Sequence, residues 1–370
     1  MKLSFLRLVF ASSLFVSCST GTVREVAAGT AAVTVVSPTA TGTITLSPLP
    51  NSTATRASIT SHTSSEAFSY LTSALDIMQA NSVNRKQIDW GALRATVYSR
   101  AQGAQQPWET YDAIRFALLQ LGDRHSFFMT RPEAAQRHYI RVDDNPPQGK
   151  LLEGKLGYIA ISGFGGSDLE QVTRYATEVQ QITREVDAHN PCGWIVDLRQ
   201  NDGGNMWPML AGIGPILGEG YVGAFINPDG QKTMWSYFNG QARLQDEVSA
   251  QANDPAYQLQ RWMPPVAVLT SKSTASSGEA MAVAFHGRPN TRSFGEGTAG
   301  LSTANEGYDL SDGAMIILTV ATFADRTDQM YGGVIEPDEF VDQRSSGSDP
   351  VQQAAINWLI RQPSCTNGIK

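Results

Sequence analysis

VAVLTSKSTASSGEAMAVAF, residues Val266 to Phe285, is the stretch from which the fold is read. It opens with a continuous apolar run, Val266-Ala267-Val268-Leu269, the pattern of a strand covered on both faces. Ser273, Thr274, Ser276 and Ser277 crowd the junction that follows. Ala280, Met281, Ala284 and Phe285 then recur at helical spacing, and Glu279 falls in the first turn, where a carboxylate complements the positive helix end. A serine at the mouth of such a strand–turn–helix is where a hydroxyl nucleophile is held out of a sheet, with backbone N–H groups nearby to stabilise an oxyanion. The same hydroxyls serve equally as helix caps. The rest of the chain must decide between the two.

Working outward, strands and helices alternate. Leu156 to Ser162 reads as a strand. Asp168 to His189 is a long amphipathic helix with Leu169, Val172, Tyr175, Ala176, Val179, Ile182 and Val186 on its apolar face. Gly193 to Leu198 is a buried strand, Asn201-Asp202-Gly203-Gly204 a turn, and Met206 to Leu217 a helix with Pro208 near its first turn. Gly220–Ile226 and Lys232–Phe238 suit a hairpin, residues 241–262 are polar and unassigned, and further strands are expected near Arg292–Phe294 and over Ala314–Phe323. This alternation predicts an α/β fold with a largely parallel, layered sheet. Its core spans 150–345, followed by a C-terminal helix and tail at 346–370. Before it, 66–145 reads as a helical subdomain. Ala67, Tyr70, Leu71, Ala74, Leu75 and Met78 mark its first helix, Trp90–Gln102 and Trp108–Leu121 two more, and Gly122 stops the last. His125 then lies in a loop.

The 41% hydrophobic content is ample for a globular core, and a net charge of −7 gives no basic footprint for nucleic acid. Three cysteines are too few for a disulfide scaffold and match no zinc motif. No metal or organic cofactor is indicated. Residues 1–18 have the form of an export signal: Lys2 and Arg7 precede an apolar run too short to span a bilayer comfortably. The run ends in Ser17-Cys18, like a bacterial lipoprotein cleavage site, with plain secretion as the alternative, so any contact with a membrane is expected through a lipid on Cys18. Residues 19–65, rich in Ser, Thr, Ala and Pro, read as a flexible tether. Export puts Cys192 and Cys365 in an oxidising setting, either as one disulfide or as two separate thiols.

A serine nucleophile needs a base, an oxyanion hole and a group that orients the base. Of the five histidines, His62 falls in the tether and His189 at a helix end. His286 is ten residues from Ser276 along one helix, about 15 Å away. His138 and His125 remain, and His125 stands beside Asp123 and Ser126.

Five segments occur in the order seen in tail-specific (C-terminal processing) serine proteases: Leu121-Gly122-Asp123-Arg124-His125-Ser126, Asp197 to Gly204, Thr274 to Glu279, Gly295 to Gly300, and Ile335-Glu336-Pro337-Asp338. The chain resembles this family over roughly Glu66 to Val341, and most closely its tricorn-core branch, in which a histidine from the N-terminal segment is the base. The resemblance implies a crotonase-like core, Ser276 as nucleophile, His125 as base, and oxyanion donors from the backbone of Gly203 or Gly204 and of Ser277. The alternative Ser/Lys branch would place its lysine at Leu301, and no lysine lies between Lys272 and Lys370. Two departures stand out. Only about a dozen residues separate His138 from Leu151, which leaves no room for the family's PDZ module. The glutamate that precedes the final Pro-Asp motif in the histidine branch is replaced by Tyr331, so the orienting acid falls to Asp325 or Asp328, with Asp123 as a further candidate or as the holder of the His125 loop. The expected function is an exported serine-type peptidase acting on a polypeptide. A non-catalytic binding module on the same scaffold and an esterase-type acyl hydrolase are the alternatives.

Overall fold

The computed structural model describes residues 62–136, 146–153, 155–253, 256–343 and 349–366. The expected export signal with Cys18, the tether up to residue 61, and His138 lie outside the described residues. Helices α1 (Ser65–Asn81), α2 (Trp90–Arg100) and α3 (Tyr111–Gln120) come first, then strand β1 (Phe127–Met129) and helix α4 (Arg131–Gln136). Next come β2 (Gln148–Leu152), β3 (Leu156–Ala160), α5 (Leu169–Asp187), β4 (Gly193–Asp197) and α6 (Met206–Leu217). Four strands follow in succession: β5 (Gly220–Ile226), β6 (Lys232–Phe238), β7 (Gln241–Leu244) and β8 (Glu247–Gln251). The chain continues through β9 (Val266–Thr270), α7 (Ser277–Phe285), β10 (Thr291–Gly295), β11 (Thr303–Asp309), β12 (Met315–Asp325), β13 (Glu339–Phe340) and α8 (Pro350–Leu359).

The opening apolar run is the middle of a six-stranded sheet ordered β13-β10-β9-β4-β3-β2. All neighbours in it are parallel except β2, which pairs antiparallel with β3 at one edge. Every residue of β4 and β9 is buried, as a strand covered on both faces requires. Alternate side chains serve opposite faces. Val266 and Val268 join the cluster formed with α5, α6 and α7, whereas Ala267 and Leu269 pack with Val351, Ala355 and Leu359 of α8. Each fully buried valine or leucine contributes about 1.5–3 kcal/mol, so α8 locks one face of the sheet and the α5–α7 layer the other.

The second sheet corrects the expectation of a largely parallel arrangement. It holds β1, β12, β5, β6, β7 and β8 in that order, with β11 also on β12, and all its pairings are antiparallel. Antiparallel neighbours need only tight turns. Asn239 and Gly240 between β6 and β7, and Gln245 between β7 and β8, supply the positive φ such turns demand. The unassigned polar stretch after residue 240 is therefore a hairpin at the sheet edge. Phe127–Met129, within the segment read as helical, is a strand on β12. Helices α1–α3 pack Leu71, Leu75, Ile114 and Leu118 against Ile316 and Leu318 of the same strand. A disulfide joins Cys192 to Cys365, with Cα atoms 5.0 Å apart.

Candidate active site

The β9–α7 junction is stitched to the 198–204 segment. Ser271 Oγ donates to Arg199 O, Thr274 Oγ1 to Leu198 O, and Ser277 Oγ to Gly204 O. These hydroxyls are structural. Ser276 is different: it occupies the N-cap of α7 at φ 51°, ψ −114°, a region a non-glycine residue rarely adopts. Such a conformation costs about 1–3 kcal/mol and persists only where the surroundings over-determine it. Here Ala275 N donates to Asn201 O and Ser276 N to Glu279 Oε2, at 2.9 and 2.8 Å.

The glycine turn meets the serine directly. A Cβ on Gly203 would stand 2.9 Å from Ser276 Cβ and 3.4 Å from Ser277 N, and one on Gly204 would stand 2.1 Å from Phe164 O. Only glycine allows this approach, and both residues also have positive φ. The Gly203 N–H donates to Asn201 Oδ1 at 3.1 Å. The N–H groups of Gly204 and Ser277 have no partner among the described residues.

Glu279 is the fastener of this corner. It is fully buried. Oε2 accepts from Ser276 N and Leu301 N, and Oε1 from Thr298 Oγ1 and Gly300 N. Burial pushes its carboxyl up to about 7 against these four hydrogen bonds. Three of the four are backbone N–H donors, which favours the charged form. Thr298 Oγ1 donates to Oε1 and accepts from Ile335 N.

His125 approaches from the other side. Asp123 Oδ1 accepts from the N–H groups of His125 and Ser126 and from Thr319 Oγ1, which shapes the loop after α3. Asn305 Nδ2 donates to His125 O. The ring is 5% exposed, and its Nδ1 lies 2.8 Å from Thr303 Oγ1. Its Nε2 is buried with no hydrogen-bond partner among the described residues, so it makes no hydrogen bond to Ser276. Burial pushes the imidazole down to about 4, opposed only weakly by the Asp123 charge, so the ring is neutral at pH 7. The two sides converge on one short segment: Leu301 N is held by the same carboxylate oxygen as Ser276 N, and two residues on, Thr303 holds His125.

Asp325 and Asp328 bond elsewhere. Asp325 accepts from Thr327, Gln329 and Tyr331 and so secures its own turn. Asp328 pairs with Lys232 on β6. Tyr331, at the position of the missing glutamate, donates to Asp325. The group facing Nδ1 is a hydroxyl, Thr303, which the sequence reading passed over. Two sequence signals point to it: the absent acid at Tyr331, and the Ser302-Thr303 pair just after the Gly295–Gly300 motif.

Among the described residues no cluster of three or more His, Cys, Asp or Glu is placed to hold a metal, and no helix is long and apolar enough to cross a membrane. The chain is 27% identical to the nisin-resistance protein of Lactococcus lactis over 74% of its own length and 81% of that protein. It is 28% identical to a carboxyl-terminal-processing protease of Synechocystis, but spans only 47% of that protein. A lipoprotein structure from Streptococcus agalactiae superposes with a TM-score of 0.66 at 25% identity, covering 80% of this chain and 96% of the other. The photosystem II D1 C-terminal processing protease shares the fold, at TM-score 0.56 and 17% identity, over 79% of this chain and 97% of its own. The sequence profile of peptidase family S41 matches residues 155–341, half of the chain and nearly all of the sheet-bearing core. This chain therefore belongs to peptidase family S41 and is a serine-type peptidase.

Proposed function

We propose that the chain is an exported peptidase in which Ser276 is the nucleophile and His125 the general base, acting on a polypeptide outside the cytoplasm. The observation that carries this reading is the His125 ring: buried, neutral, tied at Nδ1 to Thr303, and free at Nε2. With Nδ1–H donating to Thr303 Oγ1, Nε2 keeps its lone pair. It takes the Ser276 proton as Oγ attacks the peptide carbonyl. The oxyanion rests on the N–H groups of Gly204 and Ser277, while Gly203, whose own N–H is engaged, supplies the space. Protonated His125 then gives its proton to the leaving amine, and water hydrolyses the acyl-enzyme. Substrate closes the Ser276–His125 approach, as is common where an unliganded site is loose.

Several further observations support parts of this reading. Helices on both faces of the parallel sheet support a crotonase-like core. The Cys192–Cys365 disulfide supports an oxidising compartment. The likeness to a nisin-resistance protein and to a lipoprotein supports export and a lipid anchor at Cys18. Nisin is accordingly a first peptide to test. A fluorophosphonate probe should label Ser276 in the wild type and label neither Ser276→Ala nor His125→Ala. A folded wild-type protein that stays unlabelled and cleaves no peptide overturns the assignment.

A further inference from the structure

We infer that Arg124 is a specificity residue that pairs with a carboxylate of the peptide being cut; this rests on the Ser276–His125 reading. Arg124 immediately precedes the base and is exposed. It forms no ion pair among the described residues, whereas Arg85, Arg94 and Arg199 each hold an aspartate. Among the described residues its only hydrogen bonds run from Nη2 to Ala299 O and Gly300 O, both at 3.4 Å, the outer limit of a hydrogen bond. A Cβ on Gly300 would stand 2.6 Å from that Nη2, so glycine there makes the room the guanidinium occupies. The other side of the same turn, through Gly300 N and Leu301 N, grips Glu279 and with it the nucleophile's backbone. The cation therefore lies on the rim of the site.

A bound carboxylate on Arg124 fixes the peptide, and the guanidinium fork suits it geometrically. The neighbouring surface fits the rest of such a group. Val334 is 47% exposed, and its Cγ2 is 3.1 Å from the same Gly300 point. A Cβ on Gly333 would meet nothing within 4 Å. The ligand is thus a carboxylate flanked by an apolar group, either a free chain terminus or an Asp or Glu side chain.

Two peptide pairs separate these sources: free acid against C-terminal amide, and Asp-containing against Asn-containing. Dissociation constants are measured on Ser276→Ala, and kcat/KM on the wild type. One pair should show a preference of about tenfold for the charged member, expressed in KM rather than kcat. Arg124→Gln should reduce that ratio to about one, Arg124→Glu should invert it, and added salt should shrink it in the wild type. A ratio of one for both pairs in unsubstituted protein overturns the inference while leaving the peptidase reading intact. A ratio that persists in binding, with no peptide cleaved by folded wild type, supports Arg124 and overturns the peptidase reading instead.

Discussion

Around Ser276 the junction hydroxyls and the carboxylate of Glu279 are bonded to neighbours, whereas around His125 the bonding stops at the far nitrogen of the ring. The Ser276 corner is a finished structure whose strain at φ 51° is held by a buried carboxylate with four donors. His125 is held through its backbone N–H, its carbonyl and Nδ1, while its buried Nε2 has no partner among the described residues. On the proposed Ser276–His125 reading, the contrast teaches that geometry is prebuilt where charge would develop, while proton transfer would be completed by the substrate.

The sharpest break of this contrast is to remove either reacting group. Ser276→Ala and His125→Ala should each lower kcat/KM on the order of 10⁴- to 10⁶-fold, with circular dichroism unchanged. Glu279→Gln attacks the finished corner. Either amide orientation sets an NH₂ against at least one backbone N–H, so urea unfolding should show a loss of about 3 kcal/mol together with reduced turnover. A stable, fully active Gln variant would show that the corner does not depend on the charge. The open side answers to pH. His125 is lowered to about 4 from an ordinary 6.5, so between those values the unfolded chain binds the proton and the folded one does not. Stability is thus full above pH 6.5 and falls as pH drops towards 4, by about 3 kcal/mol. His125→Leu should lack that component of the acid loss, and the acid limb of kcat/KM should titrate near 4. The smallest effect is expected at Thr303. Thr303→Val should lower kcat about tenfold and shift the acid limb, and Thr303→Ser should restore both.

The nucleophile's side was the more legible in sequence. The strand and helix flanking Ser276 follow from four consecutive apolar residues and a helical repeat, and both formed where expected. The Asp168–His189 helix was readable for the same reason. Of the antiparallel sheet, the β5–β6 hairpin and β12 were readable, but β7, β8 and β1 were not: they are only three to five residues long, and β1 draws its pairing from distant β12. Thr303 lies 178 residues from His125, and one hydroxyl among many carries no spacing. The carboxylates Asp325 and Asp328 attracted attention by residue type, but their neighbours claim them.

The Cys192–Cys365 bond spans 173 positions and turns that stretch into a covalent ring. Ser276, Glu279 and the glycine pair lie inside the ring, and Arg124 and His125 lie outside it. A single nick in any surface loop within the ring leaves the pieces attached until a reductant is added. One between Met129 and Cys192 instead leaves no covalent link between the segments that carry His125 and Ser276 under non-reducing conditions, so the bond secures only one of the two proposed catalytic residues.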